Sequence, residues 1–376
     1  MMIGLPVWFF SSKPARDISN FDAARTEGSA ASKAIDKSDV PPPPGTAAIS
    51  PVESTGGQRI VFLGLGDMLF DRQVAKIIKD KGIAEIFSDV GDLLRSGDVV
   101  VGNLECPLSS RGAPVKNKEY TFRGLPEAAA GMRDAGITMV SLANNHMMDY
   151  GVDAFVDTTD LLDKVGISYA GAGMNRDEAY RHASIDVNGK RVAFFAYSSI
   201  LPEGFWATSK KAGIAGARMK PSELQQAIEG VAGEHDFTVV SFHWGIEYED
   251  YPQEYQREFA RRAIDAGADI VIGHHPHVIQ GIEIYRGKLI AYSLGDFVFD
   301  HYSRKTGETF VLKVELDDGE LARVDIIPVY ADFSGRPAIV EGKEAQAILS
   351  RLKTISEPLK TEINITGDTA EVVLAQ

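Results

Sequence analysis

Three of the eight histidines in this 376-residue chain fall within four positions, in Gly273-His274-His275-Pro276-His277. The apolar run Ile270-Val271-Ile272 leads into them. Short β-branched runs that end at glycine read as buried strands. Such a run delivers imidazoles to a strand's C-terminal edge, where layered α/β proteins build sites. Alternate residues of an extended segment point to opposite sides. His275 and His277 therefore share one centre only if the backbone turns between them, and Pro276, with its fixed φ, helps such a turn. His274 competes with His275 for the same place.

Four more clusters repeat the pattern. Thr138-Met139-Val140-Ser141-Leu142 leads to Asn144-Asn145-His146 with Asp149, and Thr238 to Phe242 leads to His243-Trp244-Gly245-Ile246-Glu247. Val99-Val100-Val101 precedes Asn103-Leu104-Glu105, and Ile60-Val61-Phe62-Leu63 precedes Gly66-Asp67. An amide oxygen can ligate a metal, and an imidazole can act as acid, base or transition-state donor. An aspartate three residues from His146 can orient its ring and raise its basicity. The same stretch admits a structural reading, with Asn145 or Asp149 capping the following helix. His243 reads alternatively as a strand-end residue packed under Trp244, and Asp67 as a helix cap. Gly64-Leu65-Gly66 is not a phosphate loop, because the lysine and serine of that motif and the GxGxxG spacing are missing. A donor set of oxygen and imidazole suits Mn, Fe, Co or Zn.

Composition narrows the rest. The net charge is -14, which argues against a nucleic-acid binder needing clustered Lys and Arg. The single cysteine, Cys106, excludes an intramolecular disulfide and a cysteine-rich zinc site. It reads as a small buried residue, or as a thiolate reaching the site beside Glu105. Met2–Phe10 is apolar but shorter than the ~20 residues that span a bilayer, and it lacks the basic start of a signal peptide. It reads as the tail of an anchor or as an interfacial tether. Residues 11–57, with Pro41-Pro42-Pro43-Pro44, read as a linker.

The elements that must position these residues alternate strand and helix from Arg59 to about Val298. Helical spacing marks 71–94, Pro126–Ala135, Val152–Val165 (with Phe155, Val156, Thr159 and Leu162 inward), Pro221–Val231 and Pro252–Ala266 (with a Tyr255, Phe259, Ala263 stripe). After Gly281 hairpins take over, with a strong turn at Asp317-Asp318-Gly319 and a helix over Lys343–Thr354. The expected fold is α/β, with two stacked mixed β-sheets flanked by helices. The expected domains are a tether over 1–57, a main domain over 58–300, and a β-rich part over 301–376 that completes or extends it.

Taken together, the motifs resemble the CapA family, also called PgsA, of poly-γ-glutamate capsule biosynthesis proteins, within the calcineurin-like metallophosphoesterase superfamily. The resemblance runs from Phe62 to about Asp300. It rests on Gly66-Asp67 with Arg72, Asn103-Leu104-Glu105-Cys106-Pro107, Ala143 to Gly151, Gly171-Ala172-Gly173, His243 to Tyr248, Ala268 to Val278, and Tyr292 to Phe297. It implies a metallophosphoesterase-like fold and a divalent metal, Mn, Fe or Zn. The ligands it implies are Asp67, Glu105, Asn145, His243, His275 and His277, with His146 as the catalytic imidazole oriented by Asp149. Asn103, Asn144, His274, Glu247, Arg72 and Asp296 are additional candidates. Three positions depart from the pattern: Leu69 stands where the superfamily's first motif has histidine, Glu105 where its second has aspartate, and Asp296 where this family has asparagine.

The function implied is capsule or cell-surface polymer biosynthesis with a hydrolytic site of the metallophosphoesterase type. Two alternatives stand beside it. One is a non-hydrolytic accessory subunit of a membrane-bound polymer synthase or exporter, holding an anionic polymer. The other is metal-free acid–base chemistry on a peptide or amino acid. The implied location is the cell envelope, extracytoplasmic or tethered by the N-terminus, with a cytoplasmic location as the alternative.

Overall fold

The computed structural model describes residues 59–217, 221–231, 233–317 and 320–374. The tether and linker expected over 1–57 lie outside the described residues. Two mixed sheets dominate. The larger runs in the order 363–366, 369–372, 320–331, 308–317, 59–68, 99–104, 139–141, 168–170. The smaller runs 282–285, 288–291, 270–274, 237–243, 190–198, 183–187. In each sheet the central strands that carry the site are parallel, so their C-terminal ends lie on one edge.

Side-chain alternation shows how the layers stack. In the smaller sheet Val192, Phe194, Ala196, Val239, Ile270, Ile272, Leu289 and Ala291 join the same core as Phe62, Val100 and Val140 of the larger sheet. Their neighbours Ala193, Phe195, Tyr197, Val240, Phe242, Val271 and Ile290 join a second core with Leu224, Ile228, Ala260 and Ala263 of two helices. A period of two assigns one face to the sheet–sheet core and the other to the covering helices. Each fully buried Val, Leu, Ile or Phe contributes about 1.5–3 kcal/mol, so both faces are strongly fixed in register.

Glu308–Asp317 and Glu320–Ala331 form two long strands, and the first pairs antiparallel with Arg59–Met68. The β-rich end of the chain thus builds the same sheet that carries Asp67. The short strand Asp296–Val298 pairs parallel with the same first strand and sets Asp67 opposite Asp296. This approach is close. A Cβ on Gly66 would lie 2.0 Å from the Gly295 carbonyl oxygen, and that oxygen accepts the Asp67 backbone N–H at 2.9 Å.

Helix faces are rotated slightly from expectation. In Gly151–Val165 the buried residues are Ala154, Phe155, Thr158 and Leu162, and Thr158 Oγ1 accepts the Leu108 N–H at 2.8 Å. In Glu254–Asp265 the inward residues are Gln256, Ala260, Ala263 and Ile264, while Tyr255 and Phe259 flank the core. Hydrogen bonds draw polar residues inward at both helices: Thr158 takes the Leu108 N–H, and Gln256 donates to Gln280 Oε1 at 3.1 Å.

Candidate functional site

Asp67, Asn103, His243 and His274 stand at the ends of four strands, Glu105 follows one of them, and the 142–149 turn follows a fifth strand. Asn103 sits at the centre. Its Nδ2 donates to Asp67 Oδ1 (2.8 Å) and Glu105 Oε2 (3.2 Å), and its Oδ1 accepts from Asn144 Nδ2 (3.0 Å). The backbone N–H of His275 donates to Asp67 Oδ2 at 3.0 Å, so the first-strand carboxylate pins the histidine turn. His277 Nδ1 lies 2.8 Å from Asp296 Oδ1 and 3.9 Å from Asp67 Oδ2. His243 Nε2 lies 2.9 Å from Asn145 Oδ1 and 3.7 Å from Glu105 Oε1. His274 Nδ1 is 3.1 Å from Asp67 Oδ1.

The turn that brings both histidines inward is real and costly. His275 and His277 have φ of 96° and 55°, a region non-glycine residues rarely occupy. Arg72 (52°) and Tyr248 (67°) share that strain nearby, and the Tyr248 N–H donates to the Pro276 carbonyl at 2.8 Å. Such residues cost about 1–3 kcal/mol each and persist where surrounding structure holds them.

Three sets of donor atoms lie within 4.8 Å of one another: Asp67–Glu105–His243, Glu105–His275–His277 and Asp67–His277–Asp296. They overlap at Asp67, Glu105 and His277. The donor set also passes a test of fit. Glu105 Oε1, His274 Nε2 and His275 Nδ1 are buried with no hydrogen-bond partner, while His274 Nδ1 faces Asp67 Oδ1. A buried polar atom left unpaired costs about 1–3 kcal/mol. Buried lone pairs of this kind on a carboxylate and on imidazoles in one cluster are what a divalent cation satisfies.

The model of the family described as "Bacterial capsule synthesis protein PGA_cap" matches residues 61–301. The chain belongs to this family. It is 32% identical over 291 residues to "Capsule biosynthesis protein CapA" of Bacillus anthracis, covering 76% of this chain and 70% of that protein. It is 34% identical over 267 residues to "PGA biosynthesis protein CapA" of Bacillus subtilis (strain 168), covering 70% of each. A "Probable polyglutamine synthesis accessory protein" of Mycobacterium tuberculosis (strain CDC 1551 / Oshkosh) is 33% identical over 230 residues, 58% of this chain and 60% of that one. The PGA_cap match contains every cluster residue from Asp67 to Asp296.

Electrostatics in this PGA_cap site are strongly perturbed. Burial pushes Glu105 well above the usual carboxylate range, and the Asp67 charge adds to it. Burial also favours a neutral Asp67, but His274, His243 and His277 more than offset this and hold it well below the usual range. Burial raises Asp296 to about 6 against the pull of His277. Burial lowers His275 to about 3, with His277 adding to the effect, and takes His243 well below its usual value. His277 goes the other way: burial opposes its charge, and Asp296, Glu105 and Asp67 outweigh burial. Neutral His243 and His275 offer the lone pairs that metal ligation needs.

His146 forms a separate unit. Its Nδ1 lies 2.7 Å from Asp149 Oδ2, which also accepts the Phe122 N–H at 2.9 Å. The Phe122 ring lies against the imidazole, tilted by 32° at 4.2 Å between centroids. Lys118 Nζ is 3.0 Å from His146 Nδ1, donates to the Asn145 carbonyl at 2.6 Å, and pairs with Asp149 Oδ1. Burial lowers His146 to about 4; the Asp149 hydrogen bond opposes this and the Lys118 charge assists it. Sequence reasoning missed Lys118, which stands in the polar loop Lys116-Asn117-Lys118-Glu119 with no pattern to mark it.

Other expected site residues fall in different places. Asn144 shapes the turn: its Oδ1 accepts the N–H groups of His146 and Met147. The capping readings of Asn145 and Asp149 are corrected, since the helix N-cap is Tyr150 with no side-chain bond. The cap reading of Asp67 falls too, because Asp71 caps the following helix. Arg72 bonds Asp300 (Nε to Oδ1, 2.7 Å) between the Phe122 and Phe299 rings, outside the donor sets. Glu247 is exposed beyond His243. Cys106 is buried, accepts the Phe70 N–H at 3.5 Å, and has its thiol pushed up by burial, as a packing residue would.

Proposed function

We propose that this PGA_cap protein serves the synthesis of a cell-surface polymer of the poly-γ-glutamate kind, and that its buried cluster is a divalent-metal hydrolytic site acting on a phosphoester. The observation carrying the hydrolytic reading is the set of three overlapping donor groups, with Glu105 Oε1 and His275 Nδ1 buried and unpartnered among them. Asp67, Glu105, Asn145, His243, His275 and His277 would hold Mn, Fe or Zn, with Asp296 as an added ligand through its place beside Asp67. When bound, the ion supplies Lewis acidity toward the scissile group and lowers the pKa of water. His146 carries its proton on Nδ1 toward Asp149, because a lone pair 2.7 Å from a carboxylate oxygen would be repelled. Nε2 is then free to accept a proton from the attacking water and to return it to the leaving oxygen. Asp149 balances the imidazolium formed in between.

The test is elemental analysis of the purified full chain with a hydrolysis assay on bis(4-nitrophenyl) phosphate. Bound metal and chelator-sensitive turnover support the reading. Neither metal nor turnover after reconstitution with Mn, Fe, Co and Zn overturns it.

One comparison favours a second reading. A relative bears the name of a polyglutamine synthesis accessory protein, so the site could bind an anionic polymer for a membrane-bound synthase without cleaving it. Metal binding with polymer binding and no turnover separates the two. Both readings place the protein at the cell envelope, and no described helix is long and apolar enough to cross a membrane. Fractionation of cells producing the full chain tests the location.

A further inference from the structure

Lys118 joins its loop to the 145–149 turn, about 30 positions later in the chain. Its Nζ donates to the Asn145 carbonyl oxygen at 2.6 Å, pairs with the fully buried Asp149, and lies 3.0 Å from His146 Nδ1. Its ammonium also lies 5.4 Å from the centroid of the Phe205 ring, in the segment after the strand Lys190–Ser198 of the smaller sheet. The loop that carries it is bound to the same aspartate twice more: the Val115 N–H donates to the Asp149 carbonyl at 2.8 Å and the Phe122 N–H to Asp149 Oδ2 at 2.9 Å. The Lys118 side chain is only 16% exposed. A lysine this enclosed is rare unless paired.

We propose that Lys118 is a positioning residue for His146, one that locks the Asn145–His146–Asp149 turn and fixes the imidazole with Nδ1 on Asp149 and Nε2 facing away from it. The claim rests on the reading of His146 as the proton-transfer group. The chemistry follows from the donor inventory. A lysine ammonium has three N–H donors and no acceptor. Two of them are taken by the Asn145 carbonyl and Asp149 Oδ1. That leaves Asp149 Oδ2 to the Phe122 N–H and the His146 Nδ1–H, so each carboxylate oxygen is committed and the ring has one orientation. Without the ammonium, Asp149 Oδ1 and the Asn145 carbonyl lose their shared donor, and both the aspartate and the turn gain freedom. Groups that orient a ligand or base through a hydrogen bond commonly alter activity about 10- to 100-fold when removed.

The experiment uses the full chain with Lys118→Met and Lys118→Gln, each checked for folding by circular dichroism and melting. The ring nitrogens of His146 are read by 15N NMR in metal-free protein, assigned with His146→Ala. The expected result is a Nδ1-protonated, slowly exchanging signal in the parent, and a broadened or tautomer-averaged one in both variants. An unchanged His146 signal in a folded variant overturns the proposal, whatever the activity. Failure of both variants to fold also overturns it, since the lysine would then be structural. With Mn and bis(4-nitrophenyl) phosphate, kcat should fall about 10- to 100-fold in the variants with KM within about twofold, and a larger change in KM than in kcat counts against it. If His146→Ala turns over as fast as the parent, the proton-transfer reading fails, and the NMR result still decides the role of Lys118.

Discussion

The two halves of the site are finished to different degrees. Around His146 the groups that hold the ring are partnered: Asp149 is held by Lys118, Phe122 and the ring's own Nδ1. In the other half, Glu105 Oε1, His274 Nε2 and His275 Nδ1 are buried and unpartnered, and carboxyls and imidazoles are driven from their usual protonation states by burial and by each other. One half is preorganised by the protein alone. The other is a buried assembly of carboxylates and imidazoles that burial penalises and whose lone pairs are only partly satisfied. The difference teaches where a cation belongs, because satisfied networks need none and half-satisfied ones are costly.

Breaking the unfinished half should have the largest effect. Asp67→Asn removes the carboxylate shared by two donor sets, so calorimetry should show no Mn or Zn binding and turnover should vanish. In the parent, metal at about 100 times its Kd should add about 2.7 kcal/mol of stability. That gain should be absent in the variant, and an equal metal-dependent rise in Tm would place the ion elsewhere. Next comes the finished half. His146→Ala should cut kcat about 10²- to 10⁴-fold while leaving metal affinity within about threefold, as measured side by side by calorimetry. Loss of metal in that variant would merge the two halves into one.

Asp296→Asn probes the boundary with less force. The side chain keeps its shape and its place in register with Asp67, and loses the charge that faces His277 Nδ1 at 2.8 Å. Metal affinity or turnover should shift measurably, about tenfold by analogy with outer ligands, and the Tm of the metal-free protein should fall, because a buried pair loses one charge. Parent-like affinity and rate together would remove Asp296 from the site. The smallest effect concerns pH. The folded His146 is lowered to about 4 from an ordinary 6.5. The unfolded chain therefore binds more protons between those values, and stability from keeping the ring neutral is present above pH 6.5 and lost as pH falls toward 4. The Tm of metal-free parent relative to His146→Phe should drop between pH 7 and pH 5, and parallel curves would show that the ring titrates normally.

Much of this was legible in the residues themselves. The five strand-end clusters were visible because a buried parallel strand is a short apolar run and its ligand follows at the end. The His275–Pro276–His277 spacing already demanded a turn, which the two positive φ values supply. The helices were found, but their inward faces were misjudged by about one residue, since Thr158 is drawn in by the Leu108 N–H and Gln256 by Gln280. Arg72, singled out beside Asp67, proved to be committed to Asp300.

The sequence by itself determined that the chain is a layered α/β protein, and which acids, amides and imidazoles stand at strand ends. Those are local properties, set by side-chain period and by the residues that follow each run. Only the tertiary structure decided that Asp296 faces Asp67, because that pairing joins strands more than 200 positions apart through the close contact of Gly66 with Gly295. It alone placed Lys118 against His146 and Asp149. A lone lysine in a polar loop carries no period and no motif, and its role is set by burial and by partners that folding brings to it.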